Sequence, residues 1–158
     1  MELLYGESER VARFIAKLIP NCHRGFGNSN AIGVLDRDNE GPILVGGVVY
    51  HNWDPESGVI EMSAASTSKR WLTRKVLHAI FTYPFDQLQC QLVVLRVSEH
   101  NKQLHRILLA YGFRAYFVPR LRGRHEGEII FTLTEEDWRS NKFTRSWNGQ
   151  STQSSKTT

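Results

Sequence analysis

The chain is organised around residues 59–76, VIEMSAASTSKRWLTRKV. The stretch begins with apolar residues typical of a buried strand and ends with the pattern of an amphipathic helix. Five residues with hydroxyl or cationic side chains connect the two, namely Ser66, Thr67, Ser68, Lys69 and Arg70. A helix that begins at Lys69 would add unpaired backbone N–H groups to these donors. The stretch therefore predicts a site for an anion, best suited to a phosphate or pyrophosphate, at the start of the helix.

The residues before this stretch predict one helix and a set of antiparallel strands. Apolar positions recur at helical spacing over residues 4–19, and Pro20 ends that pattern. Residues 21–30, NCHRGFGNSN, then form a glycine- and asparagine-rich connection that is able to line a site. The predicted strands are residues 31–35, 43–50 and 59–64. We place residues 51–58, HNWDPESG, in a turn between the second and third of them.

The residues after this stretch predict further helices and strands. The helix from Lys69 ends before Pro84, and a second helix is opened by Asn101 and closed by Gly112 as its C-cap. Thr134 begins a short third helix with acidic residues in its first turn. The predicted strands in this part are residues 91–97, 113–118 and 128–133.

These elements predict an α/β fold with a mixed, mostly antiparallel sheet and helices on both faces. The strands at residues 59–64 and 91–97 are joined through a helix, so we expect them to be parallel neighbours in the centre of the sheet. Where such a pair splays apart, a crevice opens at the carboxyl ends of the strands. That crevice is the usual ligand site of an open α/β sheet.

Composition sets the size and class of the protein. A chain of 158 residues with 41% hydrophobic residues buries a core without disulfides or metals, and we expect one domain over residues 1–145. Residues 146–158 are polar and predict a disordered basic tail.

The six histidines and two cysteines show no chelating spacing, so we expect no metal site. No apolar segment is long enough to span a membrane, and the acidic N-terminus does not resemble a signal peptide. We therefore expect a soluble cytoplasmic protein with no membrane partner.

The net charge of +4 comes entirely from four residues after Asp137. They are Arg139, Lys142, Arg145 and Lys156. Three more cations, Arg120, Arg122 and Arg124, lie in the turn between the last two predicted strands. Weak contact with nucleic acid through that turn and the tail is one interpretation, and a solvated hairpin tip and tail is the other.

Two stretches resemble the GNAT superfamily of N-acetyltransferases, most closely its phage and ribosomal-protein-acetyltransferase-like branches. They are GVIEMSAASTSKRWLTRKVLHAIFTYPF, residues 58–85, and RVSEHNKQLHRILLAYGF, residues 96–113. The second matches the family pattern of an asparagine that opens a helix ending in Gly-Phe. The resemblance covers about residues 11–133 and implies transfer of an acyl group from acetyl-coenzyme A to a small or macromolecular amine. A homodimer is a further expectation.

The resemblance also implies where the coenzyme lies. Its pyrophosphate would lie at the start of the helix from Lys69, and its pantetheine would pair with the backbone of residues 62–65 in the splay. The residues implied to bind it are Met62, Ser63, Ala64, Ala65, Ser66, Thr67, Ser68, Lys69, Arg70, Trp71 and Asn101. Such a reaction needs proximity, an oxyanion donor and a base for the ammonium.

Three side chains are candidates for acid–base chemistry. Glu61 is the first choice of base, because partial burial on the central strand would raise the pKa of its carboxyl. An equally open interpretation is a structural glutamate paired with an arginine such as Arg74 or Arg96. His51 would take a proton through water, unless it is a surface turn residue. Tyr111 would donate to a thiolate if it faces the cleft, whereas its helical spacing favours the core.

Departures from the family pattern leave two alternatives open. Ala65, Ser68 and Arg70 occupy the marked positions of the family's phosphate loop, and neither glycine of that loop is present. Leu104 and Leu108 stand where relatives carry a tyrosine or serine acid. A catalytically inactive GNAT-like binding module is therefore one alternative. A phage-type enzyme that modifies DNA bases is the other, on account of the arginine-rich turn and the basic tail.

Overall fold

The computed structural model describes residues 1–20, 22 and 24–155. Asn21 and His23 of the predicted connection, and residues 156–158 of the predicted tail, lie outside the described residues. The strands are β1 (Glu2–Leu4), β2 (Asn30–Asp38), β3 (Gly41–Asp54), β4 (Val59–Ser66), β5 (Leu92–Ser98), β6 (Arg114–Val118) and β7 (Glu128–Thr134). The helices are α1 (Ser8–Leu18), α2 (Arg74–Thr82), α3 (Lys102–Tyr111), α4 (Glu135–Ser140) and α5 (Lys142–Ser155), and a π-helical turn, Tyr83–Gln87, follows α2.

The seven strands form one sheet in the order β1-β2-β3-β4-β5-β7-β6. The neighbours β4 and β5 are parallel, and the other neighbouring pairs are antiparallel. A parallel pair needs a long crossover, and α2 with its π-helical turn provides it. The predicted fold class, a mostly antiparallel sheet with a central parallel pair, is confirmed.

Helices cover both faces of the sheet. The larger core lies on one face, where α2 contributes Val76 and Ile80 and α4 contributes Trp138. On the other face α1 packs on β2, β3 and β4 through Val11 and Ile15. This helix lies very close to the strands, because a Cβ added at Gly33 or Gly47 would come within 3.0 Å of a Val11 methyl group.

The first predicted helix begins too early. Residues 2–4 pair with β2 instead, with Leu4 opposite Gly33, and Gly6 adopts a φ of +76° that ends this strand. The helix starts at Ser8, whose hydroxyl accepts the N–H of Ala31 at 3.0 Å. Pairing with an edge strand is a tertiary contact that the helical periodicity of residues 4–19 does not reveal.

Strand β3 and helix α5 also differ from expectation. Strand β3 continues through His51 to Asp54, so the predicted turn at residues 51–58 is shorter. Helix α5 covers Lys142–Ser155, where polar composition predicts disorder from residue 146. This helix contacts α2, because the Trp147 indole stacks on the His78 ring with centroids 4.4 Å apart. In the described part of the chain no helix is long and apolar enough to cross a membrane.

Candidate active site

The two central strands separate halfway along their length. Pairing between β4 and β5 runs from Val59 with Leu92 to Met62 with Leu95. Beyond that point β4 continues along β3 as far as Ser66, while β5 continues along β7 as far as Ser98. The facing backbone edges of residues 63–66 and 96–98 are therefore not paired with each other. The predicted splay is present, and it provides free backbone groups for an extended ligand.

Helix α2 begins at Arg74 and not at Lys69 as predicted. Thr73 is the N-cap, with extended backbone and a hydroxyl that accepts the Val76 N–H at 3.2 Å. Lys69 and Arg70 consequently lie in the loop before the helix, where both side chains are exposed. The predicted anion site requires these two cations to lie at the N-terminus of the helix, against its macrodipole. That part of the prediction is wrong. The cations at the helix start are Arg74 and Lys75.

The hydroxyl groups of the loop serve the loop itself. The Ser66 hydroxyl lies 2.8 Å from the Val45 carbonyl and accepts the Ser68 N–H at 2.9 Å. The Thr67 hydroxyl donates to the same Val45 carbonyl at 3.2 Å. Trp71 is buried in the larger core. These contacts hold the loop between β4 and α2 in one conformation, and they occupy donors that we expected to face a phosphate.

Asn101 takes the predicted place at the start of α3. Its side-chain oxygen accepts the Leu104 N–H at 3.4 Å, and its side chain is exposed. Gly112 closes the helix with a φ of +120°, as predicted. This exposed side chain follows the end of β5 at Ser98 by three residues.

A histidine, a glutamate and a serine meet on the face of the sheet that carries α1. His51 on β3 lies opposite Glu61 on β4, and Val49 lies opposite Ser63. His51 Nε2 is 2.9 Å from Ser63 Oγ and 3.6 Å from Glu61 Oε2. Asn52 donates to the other oxygen of Glu61 at 3.2 Å. The structure thus brings together both predicted base candidates at the point where β4 leaves β5.

His51 is a buried strand residue and not the surface turn histidine that the sequence favours. Only 9% of its side chain is exposed, against 20% for Glu61. Phe26 packs on its ring, with centroids 5.1 Å apart. Burial lowers the pKa of His51 below its ordinary value of 6.5, although Glu61 opposes this shift. His51 is therefore neutral at pH 7, and Glu61 is the group that an acceptor can reach.

Tyr111 lies in the larger core and not in the cleft. Its ring stacks on Phe81 with centroids 4.7 Å apart, and its hydroxyl accepts the Trp138 indole N–H at 3.1 Å. Burial raises the pKa of the phenol. The structure does not place this side chain where it would protonate a thiolate, and the core position that its helical spacing favours is the observed one.

Two arginines share a buried carboxylate beside the site. Arg96 donates from Nε and Nη2 to the two oxygens of Glu128, at 3.0 and 2.9 Å. Arg122 donates to Glu128 Oε1 at 3.4 Å. Arg122 is thus turned inward and is not part of a solvated hairpin tip, whereas Arg120 and Arg124 are exposed.

Sequence reasoning missed this arginine cluster, together with Asn52. One interpretation of the sequence pairs Glu61 with Arg74 or Arg96, but the hydrogen-bond partner of Arg96 is Glu128, 32 residues away along the chain. The one local signal was a glutamate at the start of an otherwise apolar strand, and such a residue is ordinarily solvated.

No protein-family model and no curated protein matches the sequence. Solved structures do match its fold. The structure is similar to the spermidine/spermine N-acetyltransferase SpeG from Vibrio cholerae, with a TM-score of 0.65 and 16% identity over 89% of this chain and 96% of that one. It is also similar to a GCN5-related N-acetyltransferase from Brucella melitensis, with a TM-score of 0.66 and 16% identity over 93% and 80% of the two chains. The chain therefore has the fold of the GNAT N-acetyltransferases.

Proposed function

We propose that the protein is an N-acyltransferase of the GNAT superfamily that transfers an acetyl group from acetyl-coenzyme A to an amine. The observation that carries the proposal is the meeting of Glu61, His51 and Ser63 at the point where β4 separates from β5. At this point the partly exposed Glu61 carboxylate lies next to a gap whose backbone edges are unpaired. The similarity to acetyltransferase structures supports the proposal at the level of the fold.

The gap between the strands supports the proposed place of the coenzyme. Residues 63–66 of β4 present a backbone edge that β5 does not pair, and an extended pantetheine arm carries amides that bind such an edge. Lys69 and Arg70 lie in the loop before α2 and Arg74 is its first residue, and in this proposal they would hold the phosphates by charge instead of by a glycine loop. Asn101 would add its side-chain amide. When bound, the coenzyme supplies the acyl thioester that the amine attacks.

In this proposal Glu61 is the base that takes the proton of the acceptor ammonium. Its carboxylate accepts a hydrogen bond from Asn52 and lies 3.6 Å from His51 Nε2, so Asn52 constrains its position before an acceptor binds. His51 is a positioning residue that is neutral at pH 7, and its hydrogen bond to Ser63 fixes the ring. The oxyanion of the reaction would meet the free N–H groups of β4.

Calorimetric titration with acetyl-coenzyme A tests the first half of the proposal. Binding is the expected result, and no heat at millimolar coenzyme would refute it and favour the inactive binding module. Acetylation kinetics test the second half. Glu61→Gln should lower kcat by about a hundredfold or more and leave coenzyme binding unchanged. His125→Gln, a substitution at an exposed hairpin residue, is the matched control.

Two further proposals concern nucleic acid. The similarity to solved structures does not favour DNA-base modification or the phage branch of the superfamily. Contact of Arg120, Arg124 and the basic tail with nucleic acid rests on their charge alone.

A further inference from the structure

Arg96 lies on the same face of the sheet as Glu61, across the gap between β4 and β5. Glu61 pairs with Val94 in the parallel register, and Arg96 is two residues further along β5. Alternation along a strand therefore puts Arg96 on the face that carries Glu61. The hydrogen bond to Glu128 is the main cause that raises the pKa of Arg96, and the charge of Glu61 adds to it. The two groups are within electrostatic reach of each other.

Glu128 fixes the Arg96 guanidinium without exposing its own charge. The carboxylate is 1% exposed and receives two parallel N–H groups from Arg96. The Arg96 side chain is 46% exposed. A molecule that approaches Glu61 along β5 consequently meets the Arg96 guanidinium and not the Glu128 carboxylate. Because Glu128 already fixes the guanidinium in one orientation, binding a ligand there costs little further side-chain entropy.

The exposed edge of Arg96 carries N–H groups that Glu128 does not use. A guanidinium carries five N–H groups, and Glu128 takes one from Nε and one from Nη2. The remaining N–H groups lie on Nη1 and Nη2, and among the residues the structure describes they have no acceptor. Two neighbouring N–H groups on one edge match the two oxygens of a carboxylate.

Arg122 adds positive charge at the same place. It donates to Glu128 at 3.4 Å, and its Nε is buried without a hydrogen-bond partner in the described part of the chain. One carboxylate thus serves two guanidinium groups, so these three side chains together carry a net positive charge. Two more carboxylates lie close by, because Glu126 accepts a hydrogen bond from the Ser98 hydroxyl and Glu99 accepts one from the Gly127 N–H. The two guanidinium groups provide the place at which an anionic group can bind.

We propose that the acceptor is an amine that also carries a carboxylate, and that Arg96 is the residue that selects it. The amine would lie at Glu61 and the carboxylate on the free edge of Arg96. This inference rests on the proposed acyl transfer and adds the chemical class of the acceptor. It sets this protein apart from SpeG, which acts on spermidine and spermine.

The test compares matched acceptors with the full-length protein and acetyl-coenzyme A. The set consists of the standard amino acids, their carboxamides and spermidine, and kcat/KM is measured from the release of the coenzyme thiol. We expect the best amino acid to exceed its own carboxamide by about tenfold or more. Arg96→Gln should lower that ratio by about tenfold, and Arg96→Lys, which keeps the charge beside Glu128, should give an intermediate ratio. Arg37→Gln, at the far hairpin, should leave the ratio unchanged.

The outcomes separate this inference from the proposed function. A protein that binds the coenzyme but acetylates carboxamides or spermidine as well as free amino acids overturns the inference alone. The inference alone is also overturned if the protein binds the coenzyme but acetylates no amino acid in the set. A protein that does not bind the coenzyme overturns both. If circular dichroism shows that Arg96→Gln does not fold, two other measurements decide whether the inference holds. They are the ratios of kcat/KM for amino acid over carboxamide of the unmodified protein and of Arg96→Lys.

Discussion

Replacing Tyr111 by phenylalanine separates a structural role for this residue from a catalytic one. The substitution keeps the ring and its stacking on Phe81 and removes one oxygen. That oxygen accepts the indole N–H of Trp138, a residue that is 1% exposed. Tyr111→Phe therefore leaves a buried donor without a partner, while the shape of the core hardly changes.

The magnitude follows from that orphaned donor. Leaving a buried N–H unsatisfied costs about 1–3 kcal/mol, and the ring contacts that remain add little to the difference. For a chain of this length a loss of 1 kcal/mol lowers Tm by about 2–4 °C, so the variant should melt about 2–12 °C lower. The turnover number of the folded variant should be close to that of the parent, because the hydroxyl lies in the core.

Urea unfolding followed by tryptophan fluorescence measures the loss of stability, and an unchanged slope shows that the unfolded state is comparable. Tyr116→Phe is the matched control, because its ring is 54% exposed, and it should change the free energy of unfolding by less than about 0.5 kcal/mol. A Tyr111→Phe protein of unchanged stability whose kcat falls a hundredfold would refute the core assignment. It would also restore Tyr111 as the acid of the reaction.

Three further predictions concern the fold around the site. Gly47→Ala should lower the free energy of unfolding by about 1–3 kcal/mol in urea titrations, because the new Cβ would lie 2.8 Å from the Ile32 carbonyl and backbone cannot move aside cheaply. Thr73→Ala should cost about 1 kcal/mol by thermal unfolding, since it removes the acceptor of the Val76 N–H, and Thr73→Ser should recover most of that loss. The pKa of His51 is lowered in the folded protein, so the unfolded chain binds more protons below pH 6.5 and stability falls as the pH falls from there. His51→Gln should show a shallower decline between pH 7 and pH 5.5 in denaturation experiments, and an unaltered slope would contradict the burial argument.

Patterns that act over a few residues were sufficient to predict most of the helices and strands. The apolar residues of 59–64 and 91–97 predicted the two central strands, and both are present. Asn101 and Gly112 predicted the ends of α3, because caps depend on hydrogen bonds within one or two turns. The same local chemistry misled at the start of α2. The prediction starts the helix at Lys69, whereas the observed N-cap, Thr73, lies four residues later.

The candidate site depends on contacts between distant parts of the chain. Strand β3 extends through His51 because β4 pairs with it, and this pairing turns a predicted surface histidine into a buried neighbour of Glu61. The guanidinium of Arg96 is oriented by Glu128, which lies 32 residues away and reaches it through the pairing of β5 with β7.

The residues 59–76 by themselves determined a buried strand, a loop rich in hydroxyl groups and cations, and a following helix, because each of these depends on neighbours in sequence. Only the tertiary structure decided what those groups do. The loop hydroxyls bind the Val45 carbonyl of β3, and Glu61 gains His51 from the same strand. The partners of a polar side chain are supplied by whichever strands the sheet places beside it, and strand order is set by the packing of the whole chain.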